Sequence, residues 1–203
     1  MRGHVNPHTR GTRKVRAPSS GLDMRHFPSC TLAAGSVVYR VHRAGFGPWW
    51  FSYDGSQRFD IPEPYGTCYV AEHPIGAFLE TLARLTLVST ADVAGRRLAT
   101  IRLSSDLQLA DCLDPTAAGF GVTATTSAGY PYRKVSHPWA TRFFQAGFDG
   151  VRYGAAHHPA LAETSYALFG PTGASAGHGT FTDGTVPDKL LQLARAQFGF
   201  VVV

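Results

Sequence analysis

The fold is decided first by one run of the sequence, Ser36-Val37-Val38-Tyr39-Arg40-Val41-His42. Its side chains alternate in character, and this period of two predicts a β-strand with two different faces. Tyr39 and the valines two positions away share one face, whereas Arg40 lies on the other. An arginine on this strand therefore points away from the side that Tyr39 occupies.

Short elements follow this strand along the chain. After His73-Pro74, apolar side chains recur at helical spacing, with a buried stripe of Ile75, Phe78, Leu79, Leu82 and Leu85. Further strands are predicted at 67–71, 98–103, 107–113, 150–153 and 166–169, and further helices at 138–146 and 188–197. Because strands outnumber helices and occur in mixed order, we predict an α+β fold: a single compact domain with a mixed sheet and short helices.

Other segments show no clear period. The segment 45–64 combines glycine, proline and aromatic residues, which predicts a long ordered loop in which Trp49, Trp50 and Phe51 mainly pack. Residues 119–129 are predicted to form a loop and residues 170–184 a flexible segment, followed after the last helix by a β-rich tail at 198–203. These segments are expected to connect the regular elements.

The N-terminal part of the chain differs in composition from the rest. Residues 1–34 are rich in Arg, Gly, Pro and Ser without an apolar period, which predicts a flexible basic arm. The domain is then expected to span residues 35–203. The first 25 residues hold one acid, Asp23, against the basic residues Arg2, Arg10, Arg13, Lys14, Arg16 and Arg25.

Charge and composition narrow the function classes. The formal net charge is +5 over 203 residues, but the excess lies in the arm and leaves the domain close to neutral. Nucleic-acid binding is therefore not expected except through the arm. No apolar run approaches the roughly 18 residues that span a bilayer, and the N-terminus lacks the apolar core of a signal peptide. We expect a cytoplasmic protein without membrane contact.

Metal sites are not expected. Cys30, Cys68 and Cys112 are widely spaced, which predicts reduced thiols and neither a disulfide framework nor a zinc site. His157-His158 and the arm residues His4 and His8 lack a carboxylate or cysteine at ligand spacing.

Four residues have side chains suited to a nucleotide site: Arg40, Arg58, Tyr69 and Glu80. An arginine offers a planar fork that can hold two oxygens of a pyrophosphate. A tyrosine can stack on a flat nicotinamide ring, although a tyrosine in a strand more often belongs to the core. Each residue alone is also compatible with a purely structural role.

Glu80 can be placed on its helix by counting about 100° per residue. It falls roughly opposite the apolar stripe and beside Arg84, so one interpretation is an exposed ion pair. The alternative is that this face of the helix looks into a cleft, where the carboxylate could stabilise a cationic ribose as a leaving group departs.

An ordered series of motifs runs from Val38 to Phe169. It consists of Val38-Tyr39-Arg40-Val41-His42-Arg43-Ala44-Gly45, Arg58-Phe59-Asp60, Gly66-Thr67-Cys68-Tyr69-Val70-Ala71-Glu72, Ala77-Phe78-Leu79-Glu80-Thr81, Trp139-Ala140 and Gly147-Phe148-Asp149-Gly150-Val151-Arg152-Tyr153. The series resembles the RES domain, a family named for an arginine, a glutamate and a serine.

The resemblance implies a fold related to ADP-ribosyltransferases and an enzyme that breaks the nicotinamide–ribose bond of NAD+ by hydrolysis or phosphorolysis. NAD+ would be the substrate, with no cofactor, and the protein would be a toxin with an Xre-like helical antitoxin as partner. Arg40 matches the named arginine and Glu80 the named glutamate, which makes both catalytic candidates. Arg58 and Tyr69 match NAD-contacting positions, and we add Tyr39 to the predicted binding site.

The serine of the family pattern is missing. It usually stands two residues after the aromatic residue matched by Tyr153, where this chain has Ala155. Ser136, at the start of a predicted helix, is a candidate substitute within the NAD+ site. Two further functions stay open: transfer of ADP-ribose to a macromolecule, and a non-catalytic binding module that retains the fold.

Overall fold

The computed structural model describes residues 17–19, 21–82, 87–158 and 160–203. The strands are β1 Ser29–Leu32, β2 Val37–Arg43, β3 Trp50–Phe51, β4 Tyr65–Ala71, β5 Leu87–Val88, β6 Arg96–Leu103, β7 Leu107–Asp111, β8 Gly150–Gly154, β9 Thr164–Pro171, β10 Gly173–Ala174, β11 Gly179–Thr185 and β12 Val201–Val202. The helices are α1 Pro74–Leu82, α2 Thr90–Ala94, α3 Ala124–Ala128, α4 Ser136–Gln145 and α5 Asp188–Phe198. Short 3-10 helices occupy Met24–His26, Pro115–Phe120 and Tyr132–Lys134.

Eight strands form one mixed sheet in the order β1-β7-β8-β9-β4-β2-β6-β11. Its pairs are antiparallel except for β7 and β8, which run parallel. The other strands form two small two-stranded sheets, β10 with β3 and β12 with β5. Together with the short helices, this sheet confirms the predicted α+β fold class.

The sheet carries a core on each face. Neighbouring residues of β4 and β9 separate onto opposite faces, because strand side chains alternate. Cys68 and Leu168 pack in one apolar cluster, and Tyr69 and Phe169 pack against the other. The apolar stripe of α1 contacts α5 in a third cluster, as its helical period predicts. Leu85, the last residue of that predicted stripe, lies outside the described residues.

The sheet opens between β2 and β4. Within the described residues, the register between these strands consists of one pair, Tyr39 opposite Ala71, whereas β2 pairs with β6 from Val37 to Arg43. Beyond Tyr39 the two strands therefore separate. A cleft lies at this opening.

The predicted N-terminal arm is partly wrong. Met24 and Phe27 are buried in the core, and the Phe27 ring lies 4.7 Å from that of Phe143 between centroids. Strand β1 pairs along its whole length with β7. Residues 24–32 thus belong to the folded domain, because two large apolar side chains and one short strand suffice to dock a segment that has no period of its own. Residues 1–16 and 20 of the predicted arm lie outside the described residues.

Two predicted loops contain regular structure. Residues 119–129 include α3, whose Thr126 and Ser127 are buried. Residues 170–184 include the edge strand β11, which pairs with β6 from Gly179 to Thr185. A Cβ at Gly179 would stand 2.1 Å from the Arg102 carbonyl oxygen, so glycine permits the close approach. The hydrogen-bond partners of β11 are on β6, so the sequence of β11 alone does not predict a strand.

Each helix of the described chain is too short or too polar to cross a bilayer.

Candidate active-site cleft

A cleft of about 630 Å³ lies where β2 and β4 separate. Its walls include side chains from β2, the loop after β3, β4 and α1, and all four of the principal predicted residues line it: Arg40, Arg58, Tyr69 and Glu80. Residues separated by up to 40 positions in sequence thus share one cavity. The volume lies within the range of small-molecule sites.

Glu80 is held at one end of this cleft by three groups. Its Oε1 lies 3.6 Å from Nη1 of Arg58 and accepts a hydrogen bond from the Ala156 N–H at 3.1 Å. The Tyr153 hydroxyl donates to Oε2 at 3.2 Å. The Glu80 side chain is only 15% exposed, so the interpretation as an exposed surface residue is wrong. Arg84, the partner in that interpretation, lies outside the described residues.

Arg58 is the most deeply buried cation of the cleft. Its side chain is 6% exposed, and its guanidinium lies 5.5 Å from the ring centroid of Tyr153 and 5.8 Å from that of Tyr132. Burial acts to lower the Arg58 pKa, but Glu80 and the two tyrosines outweigh it and raise the pKa. Nε and Nη1 are buried without a hydrogen-bond partner among the described residues. A charged fork with unused donors is suited to bind an oxyanion.

Arg40 uses one guanidinium nitrogen to hold the segment that contains Trp49 and Trp50. Its Nη1 donates to the carbonyl oxygens of Pro48 and Trp50, the latter at 3.1 Å, and contacts Sγ of Cys68. Burial raises the pKa of that thiol, which favours a neutral sulfur beside the guanidinium. Arg40 thus ties the loop before β3 to the sheet and also lines the cleft.

Tyr69 is fixed by hydrogen bonds at its hydroxyl, which donates to Oδ1 of Asp60 at 2.9 Å and accepts from the Phe59 N–H at 2.7 Å. Asp60 also accepts from Ser52 Oγ and from the Gln57 N–H, each at 3.0 Å. Burial raises the pKa of both Asp60 and Tyr69. These bonds fix the loop that carries Arg58, and Tyr69 also lines the cleft.

Two predicted site residues do not line the cleft. Tyr39 is half-buried and packs against Val41, Ala71 and Ala77 beneath α1. Ser136 is the first residue of α4 and is fully buried, with its Oγ donating to the Arg58 carbonyl oxygen. Ser136 therefore supports the backbone of Arg58 and does not line the cleft, so its predicted place in the NAD+ site is wrong.

Tyr132, Tyr153 and the Ala156 N–H were not identified from the sequence. Tyr153 belongs to the quoted motifs, and its alternation in β8 indicates a buried face, but no local pattern shows that α1 brings Glu80 to its hydroxyl. Ala155 is fully buried, and its own N–H donates to the Glu163 carbonyl oxygen at 2.8 Å. The position without the family's serine thus adjoins a donor to Glu80.

Within the ranges that the structure describes, no group of three or more His, Cys, Asp or Glu side chains is arranged to hold an ion. His4 and His8 lie outside those ranges.

Comparisons with known proteins agree with the motif series. The chain is similar in structure to a chain of the M. tuberculosis MbcT–MbcA toxin–antitoxin complex, with a TM-score of 0.63 and 17% identity over 82% of this chain and 92% of that one. No curated protein matches its sequence. The model of the RES domain matches residues 37–183, which is well over half of the chain. The protein therefore belongs to the RES-domain family.

Proposed function

We propose that this protein is an enzyme that breaks the bond between nicotinamide and ribose in NAD+. The observation that carries the proposal is the setting of Glu80, which three groups hold at one end of a cleft lined by Arg40, Arg58 and Tyr69. A carboxylate oriented in this way in a partly dry site can stabilise positive charge that develops in a transition state.

The reaction requires stabilisation of a ribosyl cation. As the C–N bond breaks, its electron pair leaves with nicotinamide, which becomes neutral, and positive charge develops on the ribose. Glu80 faces this charge. An anionic oxygen of phosphate then forms the new bond to the ribose carbon, or water does so and releases a proton to the solvent. Electrostatic contributions of this kind are large because the donors and charges are fixed before the reaction.

In this mechanism Arg58 also binds the substrate. Alone, its positive charge beside Glu80 would oppose a cation at the ribose. A pyrophosphate oxygen bound to the unused donors of Arg58 offsets that charge and leaves Glu80 free to act on the ribose. The ring of Tyr69, with its hydroxyl fixed by Asp60, is available to stack on nicotinamide. NAD+ is then consumed as a substrate, and no cofactor is required.

The biological role proposed is that of a toxin inhibited by a helical, Xre-like antitoxin in the cytoplasm. The support is the fold similarity to a complex described as toxin and antitoxin. Transfer of ADP-ribose to a macromolecule uses the same grip on NAD+ and differs only in the acceptor. A non-catalytic module is favoured by one observation, the absent hydroxyl at the buried Ala155.

The proposal is tested by incubating the purified protein with NAD+, with and without inorganic phosphate, and measuring free nicotinamide. Release in both conditions indicates hydrolysis, and release that depends on phosphate indicates phosphorolysis. Release only when a protein acceptor is added supports the transferase. If the folded protein releases no nicotinamide under any of these conditions, the binding module is the correct alternative.

A further inference from the structure

Two arginines line the cleft at the end of β2 and the start of β6. Arg43 is the last residue of β2 and Arg96 the first of β6, and the antiparallel register places them directly opposite. Cross-strand partners share one face of a sheet and bring their side chains close together. Both residues line the cleft that also contains Glu80.

No carboxylate forms an ion pair with either arginine among the described residues. Asp92, on α2, also lines the cleft, but its carboxylate accepts from the Ser89 N–H at 3.2 Å and from Ser89 Oγ at 2.7 Å in the helix cap. Like charges directly opposite each other destabilise a sheet. Burial is the main cause that lowers the pKa of Arg96, with a further contribution from Arg43, and the charge of Asp92 acts in the opposite direction.

The next residue of β6, Arg97, differs from Arg96 in having an ion-pair partner within the described chain. Arg97 pairs at 2.9 Å with Asp183 of the neighbouring strand β11, so the sheet supplies a carboxylate for this guanidinium. Arg43 is exposed and Arg96 half-buried, and both line the cavity without such a partner among the described residues. An anion between them would remove the repulsion, and planar forks bind the oxygens of a phosphate in pairs.

We propose that Arg43 and Arg96 form a phosphate subsite of the cleft, separate from the Arg58–Glu80 pair. The inference rests on the proposed function in one respect, since the phosphate is taken to belong to the dinucleotide or to its acceptor. Arg43 lies three residues beyond Arg40 on β2, or about 10 Å along the strand. The group bound is the pyrophosphate, the 2′-phosphate of NADP+ or inorganic phosphate, all of which present the same oxygens.

Binding measurements without turnover separate these sources. Calorimetric titration with ADP, 2′-AMP and inorganic phosphate is compared for the wild type, Arg43→Ala and Arg96→Ala. Arg102→Ala is the matched control, because Arg102 lies on the same strand, is exposed and does not line the cleft. Thermal unfolding of each variant establishes that it is folded.

We expect both variants to bind one of the probes at least about tenfold more weakly, as the loss of a charged hydrogen bond predicts, and the control to match the wild type. A loss for ADP identifies the pyrophosphate, a loss for 2′-AMP alone identifies the NADP+ phosphate, and a loss for inorganic phosphate alone identifies the acceptor. Each of these results supports the subsite. Equal binding of all probes by folded wild type and variants overturns it, as does a wild type that binds none of them.

The same titrations distinguish failure of the subsite from failure of the proposed function. If the wild type releases no nicotinamide but still binds a probe through Arg43 and Arg96, the proposed chemistry is wrong and the phosphate subsite stands. If the wild type cleaves NAD+ and both variants bind every probe and turn over NAD+ and NADP+ as it does, the subsite is wrong and the chemistry stands.

Discussion

Arg58 and Arg40 line the same cleft, but their hydrogen-bond donors are used differently. Arg40 donates through Nη1 to loop carbonyls at Pro48 and Trp50, whereas Nε and Nη1 of the more deeply buried Arg58 are left without such bonds among the described residues. The sequence predicts the same role for both arginines, which is to bind a pyrophosphate. The comparison indicates that Arg58 is arranged to bind a ligand and that Arg40 also fixes the wall of the site.

Replacement of Arg58 should have the larger effect of the two. Arg58→Ala removes the guanidinium beside Glu80, including two donors without a hydrogen-bond partner, and among the described residues leaves Glu80 with the Tyr153 hydroxyl and the Ala156 N–H. We expect KM for NAD+ to rise about 100-fold, since each charged hydrogen bond contributes about 1.5–3 kcal/mol. Steady-state measurement of nicotinamide release gives the value. An unchanged KM in a folded variant would show that Arg58 serves only to balance the charge of Glu80.

Arg40→Ala should act mainly through the loop. We expect KM to rise about tenfold, together with faster hydrogen exchange in residues 46–52, because the bonds to the Pro48 and Trp50 carbonyls are lost. Hydrogen exchange followed by mass spectrometry measures the second effect. Arg58→Ala is the control, since Arg58 makes no bond to these residues. A rise in KM without faster exchange would instead support a direct contact of Arg40 with the substrate.

Tyr153→Phe is expected to have a smaller effect than Arg58→Ala. The variant keeps the ring beside Arg58 and removes the hydroxyl that donates to Glu80 at 3.2 Å. Loss of one hydrogen bond of about 1 kcal/mol predicts a fall in kcat of about fivefold with little change in KM. Tyr65→Phe is the matched control, because Tyr65 is exposed and lies outside the cleft lining. Equal kcat values for wild type and Tyr153→Phe would mean that the other two contacts suffice to orient Glu80.

The sequence predicts the elements that have a strong period and the residues that belong to an extended series of motifs. The alternation around Arg40 yields β2, and the apolar stripe from Ile75 yields α1 with Glu80 on its opposite side. Four of the six predicted site residues line the cleft. Tyr39 and Ser136 do not line it. Whether their side chains could do so depends on which face of β2 and which end of α4 meets the cavity.

Features that depend on contacts between distant segments were not predicted. Phe27 is buried by rings from the 3-10 helix at Pro115–Phe120 and from α4, although its own segment has the composition of an arm. Strand β11 consists largely of glycine, threonine and aspartate, and its hydrogen bonds to β6 define it. Likewise, the hydroxyl of Tyr153 in β8 meets the carboxylate of Glu80 in α1, and these residues are 73 positions apart in the sequence.

The most direct test of the central claim is the kcat of Glu80→Gln. The substitution preserves volume and removes the charge that the account needs as the nicotinamide–ribose bond breaks, so kcat should fall about 10²–10³-fold while KM changes little. Glu63→Gln, at an exposed position outside the cleft lining, should match the wild type. Turnover of NAD+ by folded Glu80→Gln at the wild-type rate would contradict the account, because Glu80 would then serve only as the structural partner of Arg58.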